Sequence, residues 1–196
     1  MAMPPMLAYT ISSYSADSPP SAIIGYGRDS SYLKPDSPQS DSYWIAILNA
    51  KNPRVKVKEW IVPGASHSAV PPGIDTYMND PEYLFVLGTQ YLSTLHVPQG
   101  PFYDFLVKYG AGRELQKLEQ VATVLSCGSF SRMSYILTGQ CGPRKPGQPS
   151  PPSYELSTYE GGGRLLMLMS LIPLPDGSPP YAPCDSYTFY HSMTGA

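Results

Sequence analysis

The sequence has little charge of either sign. Of its 196 residues, 13 are Lys or Arg and 15 are Asp or Glu, which is 14% of the chain and gives a net charge of −2. An average globular protein has roughly 25% charged residues. Proteins that bind nucleic acids present clustered Lys and Arg to the phosphates. The sequence has no such cluster, so we expect no nucleic-acid partner.

Long hydrophobic runs are also missing. The longest, residues 165–172, contains eight residues, whereas about 20 are needed to cross a bilayer. The N-terminus has no basic segment, and Pro4 and Pro5 interrupt its apolar stretch, which argues against a secretory signal. We therefore expect no membrane span and synthesis in the cytoplasm. The final location is unknown, and incorporation into a particle or filament is left open.

The cysteines are few and form no familiar ligand or redox pattern. Cys127, Cys141 and Cys184 make an odd number and show no C-x-x-C spacing, which excludes the usual zinc and thioredoxin-like signatures. Whether Cys127 and Cys141 form a disulfide is left open, with buried thiols as the alternative.

Phosphate-binding and cation-binding motifs are equally scarce. Gly142 and Gly147 have the spacing of a P-loop, but Gln148 and Pro149 follow where Lys and Ser or Thr are required. The acidic residues within 75–82 fit the two ends of a short helix better than they fit a cation site. We expect no cofactor and no metal site.

The chain has only three histidines, and no G-x-S-x-G nucleophile motif accompanies them. A thiol–imidazole pair made by Cys127 and His96 would give a cysteine-dependent hydrolase. We keep that activity as an alternative and expect a protein that is not an enzyme.

Proline, unlike charge, is abundant, and its distribution divides the chain. Residues 41–142 contain seven of the 23 prolines, whereas the two flanks contain sixteen. This distribution predicts an extended N-terminal arm at 1–40, a globular core at 41–172 that includes a Pro-rich loop at 143–160, and a C-terminal arm at 173–196. We expect the core to fold without the arms.

Within the core, hydrophobic periodicity predicts strands and helices in alternation. The predicted strands are 43–48, 54–62, 83–89, 132–138 and 164–172. The predicted helices are 74–80, 101–109 and 113–125. This order indicates an α+β fold, in which a mixed β-sheet core carries two or three short helices and is flanked by extended Pro/Ser/Tyr-rich arms.

Four segments of the core are similar to those of one known domain. They are the hairpin WIAILNAKNPRVKVKEWIV (44–62), the strand FVLGT (85–89), the helix DFLVKYGAG (104–112) and the strand SYILTGQCG (134–142). With these segments the chain resembles the interleukin-like EMT-inducer (ILEI) domain, which is also the stem domain of an O-mannose N-acetylglucosaminyltransferase. The resemblance implies a lectin-like module that binds carbohydrate or protein without catalysis, with exposed aromatics such as Trp44 and Trp60 as candidates for the ligand face. Gln90 or Tyr91 stands where the family has an acidic residue, so no sugar-contacting residue is carried over.

The arms point to a second kind of function. Nine of the 16 tyrosines lie outside residues 41–142, and tyrosine is a large amphipathic side chain suited to protein interfaces. The candidate anchors are Tyr9, Tyr14, Tyr26, Tyr32, Tyr181, Tyr187 and Tyr190. We therefore expect a non-catalytic binding or structural protein that is a subunit of a larger homo- or hetero-oligomeric assembly held by its arms. Its partners would be other protein subunits, above all copies of itself, with glycans as the alternative.

Overall fold

A computed structural model describes residues 7–13, 22–26, 31–125, 132–144, 147, 150–158, 165–173 and 180–185. Residues 7–13, 125 and 185 are described by their backbone alone. The strands are β1 (Leu7–Ser13), β2 (Ile23–Tyr26), β3 (Tyr32–Leu33), β4 (Ser42–Asn49), β5 (Asn52–Pro63), β6 (Tyr83–Gln90), β7 (Leu92–Ser93), β8 (Arg132–Gln140), β9 (Ser153–Thr158), β10 (Leu165–Ile172) and β11 (Ala182–Asp185). The helices are α1 (Asp75–Met78), α2 (Gly100–Lys108) and α3 (Arg113–Leu125), and two 3-10 helices span Gly64–Ser66 and Thr94–His96.

The first sheet has the strand order β5-β4-β6-β8, and β7 and β9 each pair with β8. All of these pairs are antiparallel. The central strands β4, β6 and β8 are buried along nearly their whole length. Continuous burial requires that both faces of the sheet be covered, which explains why these segments read as unbroken apolar runs in the sequence.

The helices cover one face of the first sheet. Phe102 and Leu106 of α2 and Leu115 of α3 are buried against Phe85 and Tyr135 of the sheet. Pro101 occupies the first turn of α2, where its missing N–H would have had no intrahelical acceptor. The helix ends before Gly110, whose φ of 102° is accessible to glycine at little cost.

The second sheet covers the opposite face, with the strand order β11-β10-β1-β2-β3. Its core residues include Ile24 and Tyr26 of β2 and Met167 of β10, which pack with Trp44 and Leu84 of the first sheet. The fold therefore has three layers, with helices on one side, the first sheet in the centre and the second sheet on the other side.

The predicted α+β class is confirmed. Two features differ from the expectation. First, every described strand pair is antiparallel, so the strand directions of the sheets are not mixed. Second, the described parts of 1–40 and 173–196 are not extended arms, because β1, β2, β3 and β11 are strands of the second sheet. On β2, the side chains of Ile24 and Tyr26 pack against the first sheet of the same chain.

Within the described ranges, none of the helices combines the length and the apolar character that a membrane crossing would need.

Candidate functional site

The second sheet has an apolar outer face, defined here by Ile23, Tyr32, Leu166, Leu168 and Ile172. These residues alternate along their strands with residues of the core. On β10, Leu165, Met167, Met169 and Leu171 are buried, whereas Leu166 is 52% exposed and Leu168 is 60% exposed. Tyr32 on β3 is 55% exposed. Strand β10 therefore has apolar side chains on both of its faces, although one face has no cover in the described part of the chain.

The register of the second sheet extends this outer face across neighbouring strands. Leu168 pairs with Thr10, which pairs with Gly25, which pairs with Tyr32. In the adjacent row Leu166 pairs with Ser12, which pairs with Ile23. On the other side of β10, Ser170 pairs with Cys184 and Ile172 pairs with Ala182. None of the residues in these rows is charged. Antiparallel sheets that face water on one side usually show polar residues there, whereas on this face Leu166, Leu168 and Tyr32 are more than half exposed.

Of the predicted tyrosine anchors, only some are exposed where the structure describes them. Tyr26 is 2% exposed and its hydroxyl donates to the carbonyl of Pro53, so its assignment as an external anchor is wrong. Its ring belongs to the core between the two sheets. Tyr32 is exposed on the outer face, and Tyr181 is half-buried against the same core, with its N–H donating to Ala50 at 2.7 Å.

The remaining anchors cannot be placed in this way. Tyr9 pairs with Met169 and Tyr26 in the backbone register of β1. Tyr14, Tyr187 and Tyr190 lie outside the described residues.

The two tryptophans have different environments. Trp44 is fully buried, and its Nε1 donates to Glu59 Oε2 at 2.9 Å. The prediction that Trp44 presents a ring to a ligand is therefore wrong, because β4 is covered on both faces. Trp60 is half-buried at the edge strand β5, and its ring centre lies 5.8 Å from that of Tyr77, which lies 5.4 Å from that of Tyr83. We call these three rings the aromatic row.

An ion-pair network holds part of the N-terminal region on the first sheet. Lys56 Nζ lies 2.7 Å from Asp36 Oδ1 and 2.7 Å from Glu59 Oε2. Burial alone would lower the pKa of Lys56, but the hydrogen bonds to Asp36 and Glu59 outweigh it and raise that pKa above its ordinary value. Asp36 N also donates to Glu59 Oε1 at 3.0 Å. These contacts attach the segment before β4 to its own chain.

Asp41, Gly64, His67 and His96 form a compact group that we call the histidine cluster. His96 Nδ1 lies 2.8 Å from Asp41 Oδ2, and the His67 and His96 rings stack with their centres 5.5 Å apart. The sequence did not reveal this cluster, because its members come from three separate loops. Among the described residues, no group of three or more His, Cys, Asp or Glu is arranged to hold a metal ion.

The thiol of Cys141 is not exposed to solvent, since the residue is fully buried. Burial raises its pKa to about 12, so the reactive thiolate is scarce near neutral pH. Cys127 lies outside the described residues. The structure therefore describes neither a pair of Cys127 with His96 nor a disulfide between Cys127 and Cys141.

A groove runs between the 94–99 segment and α3. Its volume is about 350 Å³, and its walls include Leu95, Val97 and Gln99 on one side and Glu119 and Ala122 on the other. Leu95 is 52% exposed. The groove is open and mixed in polarity, and its walls carry none of the predicted site residues.

In comparisons with known proteins, the chain matches no protein-family model and no curated protein sequence. A functional proposal therefore depends on the geometry of the surfaces described above.

Proposed function

We propose that this protein is a non-catalytic assembly subunit, and that it binds a second copy of itself through the outer face of the second sheet. The observation that supports this proposal is the pattern of β10. Its inward residues form the core, and its outward residues Leu166 and Leu168 remain more than half exposed. A strand with leucines on both faces is typical of a strand that is covered on both faces.

The absence of charge on the outer face favours a second copy as the occupant. In a two-fold symmetric dimer the same patch meets itself, so a charged patch would repel its copy. The residues in the register rows around Leu166 and Leu168 are uncharged, and the whole chain has a net charge of only −2. Two such faces can therefore approach each other without electrostatic cost, as the sheets of a β-sandwich do at about 10 Å.

The area of the second sheet sets the expected affinity. Its five strands contain 25 residues. With a spacing of about 4.8 Å between strands and a rise of about 3.3 Å per residue, these cover roughly 400 Å² in projection. Stable interfaces bury about 800 Å² of accessible surface on each partner. We therefore expect a weak dimer whose population rises with protein concentration.

The hydrophobic contribution of the two leucines is also modest. Full burial of a leucine side chain contributes about 1.5–3 kcal/mol. Since Leu166 and Leu168 are 52% and 60% exposed, each has roughly 1 kcal/mol still to gain on being covered. Four such side chains in a symmetric dimer give about 4 kcal/mol, which makes each leucine a large fraction of a weak binding energy.

The test is sedimentation velocity of the full chain over a range from about 10 to 500 µM. We expect the mean mass of the wild type to rise with concentration, and Leu168→Lys to stay monomeric because two lysines would face each other across the two-fold axis. Val124→Lys is the matched control, since Val124 is an apolar residue on α3 that is 80% exposed. Equal masses for the wild type and Leu168→Lys at every concentration would refute the proposal.

A second candidate function is a lectin-like binding module of the ILEI type, and the aromatic row is the observation that favours it. Trp60, Tyr77 and Tyr83 present partly exposed rings on one side of the molecule. The amphipathic rings of Trp and Tyr suit a surface that binds polyhydroxylated ligands through their apolar faces. A glycan array tests this candidate: binding should be lost in Trp60→Ala and kept in Leu168→Lys, and a wild type with no signal above background contradicts it.

A further inference from the structure

Strand β10 is paired along only part of one of its edges. On one side β1 pairs with residues 165–171, whereas on the other side β11 pairs only with residues 169–172. Among the described strands, none pairs with residues 165–168 on the β11 side. We call this stretch the open edge. An unpaired edge presents backbone N–H and C=O groups to any further strand, so folded proteins usually pair or cover it.

A groove of about 240 Å³, which we call the β9–β10 groove, lies along the open edge. Its lining comes from residues 166–169 of β10 and from Tyr154, Glu155 and Leu156 of β9. In the described part of the chain β9 pairs with β8 alone, so the groove has a strand of the first sheet on one side and a strand of the second sheet on the other. Tyr154 and Leu156 pack against the core between the two sheets. The groove therefore reaches the margin of that core.

The lining of the β9–β10 groove carries no free charge, although one of its residues is acidic. Both carboxylate oxygens of Glu155 accept hydrogen bonds, from backbone N–H groups at the start of α3 and from the hydroxyl of Tyr135. The remaining lining residues are apolar or aromatic, namely Tyr154, Leu156, Leu166, Met167, Leu168 and Met169. Because burial of an unpaired charge in such surroundings is costly, the groove suits aliphatic and aromatic side chains.

The chain itself leads into the open edge. Asp185, the last residue of β11, pairs with Met169, and β11 runs antiparallel to β10. In this register, each residue added to the end of β11 is opposite the preceding residue of β10. Eleven residues, 186–196, follow Asp185 in the sequence, and they lie outside the described residues. Four of them are enough to span the open edge.

The sequence of this continuation has the alternation that the groove requires. Residues 186–190 are Ser, Tyr, Thr, Phe and Tyr. The register of β11, extended by four residues, sets Tyr187 opposite Met167 and Phe189 opposite Leu165. Leu165 and Met167 belong to the buried face of β10, and side chains opposite each other in a sheet are on the same face. In this register both aromatic side chains are on the core side, whereas a slip of one residue would turn them to the outer face.

We propose that the β9–β10 groove is the docking site of residues 186–190 of the same chain, which add to the open edge and cover the groove with Tyr187 and Phe189. This is the strand-addition mode of peptide recognition, in which backbone hydrogen bonds provide affinity and alternate side chains provide register. The segment of the same chain is favoured over that of a second copy because it is tethered at Asp185, which gives it a high effective concentration at the groove.

The docking is independent of the dimer proposed above. In the same register Ser186 is opposite Leu168 and Thr188 is opposite Leu166, so the segment adds two small uncharged residues to the outer face of the second sheet. Docking uses the edge of β10, whereas the dimer uses its outer face. Leu168→Lys, which is expected to prevent dimerisation, should therefore leave docking unchanged.

Disulfide trapping tests the register of the docked segment. In a full chain with Cys127 and Cys184 replaced by serine, Leu166→Cys and Thr188→Cys should form an intramolecular disulfide on mild oxidation at about 1 µM. Opposite residues of neighbouring strands have Cα atoms about 4.5–5.5 Å apart, and a disulfide spans about 4.4–6.8 Å. Leu166→Cys with Tyr187→Cys is the matched control and should stay reduced, because its two side chains are on opposite faces. Equal cross-linking of the two pairs, or none in either, contradicts the register, and a disulfide between two chains contradicts docking within one chain.

Hydrogen exchange of the full chain tests the same contact without new cysteines. The amides of residues 165–168 that point away from β1 should be protected in the wild type. Replacing both aromatics, Tyr187→Ser and Phe189→Ser, should speed the exchange of these amides at least about tenfold. Tyr190→Ser is the matched control, because Tyr190 falls beyond Leu165 in the register, and it should exchange as the wild type does. Unchanged rates in the double variant would overturn the proposal.

Discussion

Glu155 of β9 caps helix α3 from a distant part of the chain, and we expect its removal to lower the free energy of unfolding. Its Oε1 accepts from Gly112 N at 2.9 Å and Glu114 N at 2.8 Å, and its Oε2 accepts from Leu115 N at 3.2 Å and from the Tyr135 hydroxyl at 2.8 Å. Burial, together with Glu155, raises the pKa of Tyr135 well above its ordinary value, so this hydroxyl is protonated and donates. One carboxylate thus satisfies four donors.

Replacing Glu155 by alanine leaves these donors without their acceptor. Loss of a helix N-cap costs about 0.5–2 kcal/mol. An unsatisfied buried hydroxyl costs about 1–3 kcal/mol more, and Tyr135 is 1% exposed. We expect Glu155→Ala to lower the free energy of unfolding by roughly 3 kcal/mol, which for a chain of this size is about 6–12 °C in melting temperature. Glu155→Gln keeps one acceptor oxygen and should lose less.

Urea denaturation at pH 7, followed by far-UV circular dichroism, measures this effect. The midpoint should fall while the dependence of the free energy on urea stays constant. Glu82→Ala is the control: Glu82 pairs with Lys51 at 2.6 Å, but the side chains are 60% and 55% exposed, and such surface pairs contribute about 0–1 kcal/mol. If Glu155→Ala is as stable as Glu82→Ala, Glu155 does not cap α3 in the way described.

Two other substitutions test single contacts. In Gly64→Ala the new Cβ would lie 2.5 Å from His96 Nδ1 and 2.8 Å from Asp41 Oδ1, so we expect a lower melting temperature, and an unchanged melt contradicts the close approach. For Cys141, burial raises the pKa from 9.0 to about 12, so the native state keeps a proton that the unfolded chain releases near pH 9. Its contribution to stability is complete below pH 9 and is lost as the pH rises toward 12. Urea denaturation at several values from pH 8 upward should therefore show a steeper alkaline decline in the wild type than in Cys141→Ser, and equal slopes would refute the assignment.

Where the local pattern decides the structure, the sequence predicts it well. Helix α3 has the predicted bounds, 113–125, because leucines at helical spacing form one stripe. The apolar run 83–89 is strand β6, and it is buried along both faces as such runs are. The hairpin of β4 and β5 follows from the turn residues of 49–53 between two β-type segments.

The parts that sequence reasoning missed depend on distant pairing. Strand β1 is the neighbour of β10, more than 150 residues away along the chain, and nothing local in its Ser- and Pro-containing surroundings indicates that partner. The histidine cluster was missed for the same reason, since Asp41, His67 and His96 approach each other only when three loops meet at one end of the first sheet. Trp44 was misassigned because an apolar run does not show which of its side chains are buried by a segment that is distant in the sequence.

The same long-range pairing reverses one expectation about the arms, namely that residues 41–172 fold alone. Without residues 1–40, the second sheet loses β1, β2 and β3, and the buried face that includes Trp44 and Leu48 would meet water. Ile24 and Tyr26 are 0% and 2% exposed, and burying two such side chains contributes roughly 5 kcal/mol. That is comparable with the whole stability of many domains, about 5–15 kcal/mol. A chain of residues 41–172 should therefore aggregate or bind the dye ANS. A cooperative melt at the temperature of the full chain would instead show that residues 1–40 are dispensable for the fold and available to bind a neighbouring subunit.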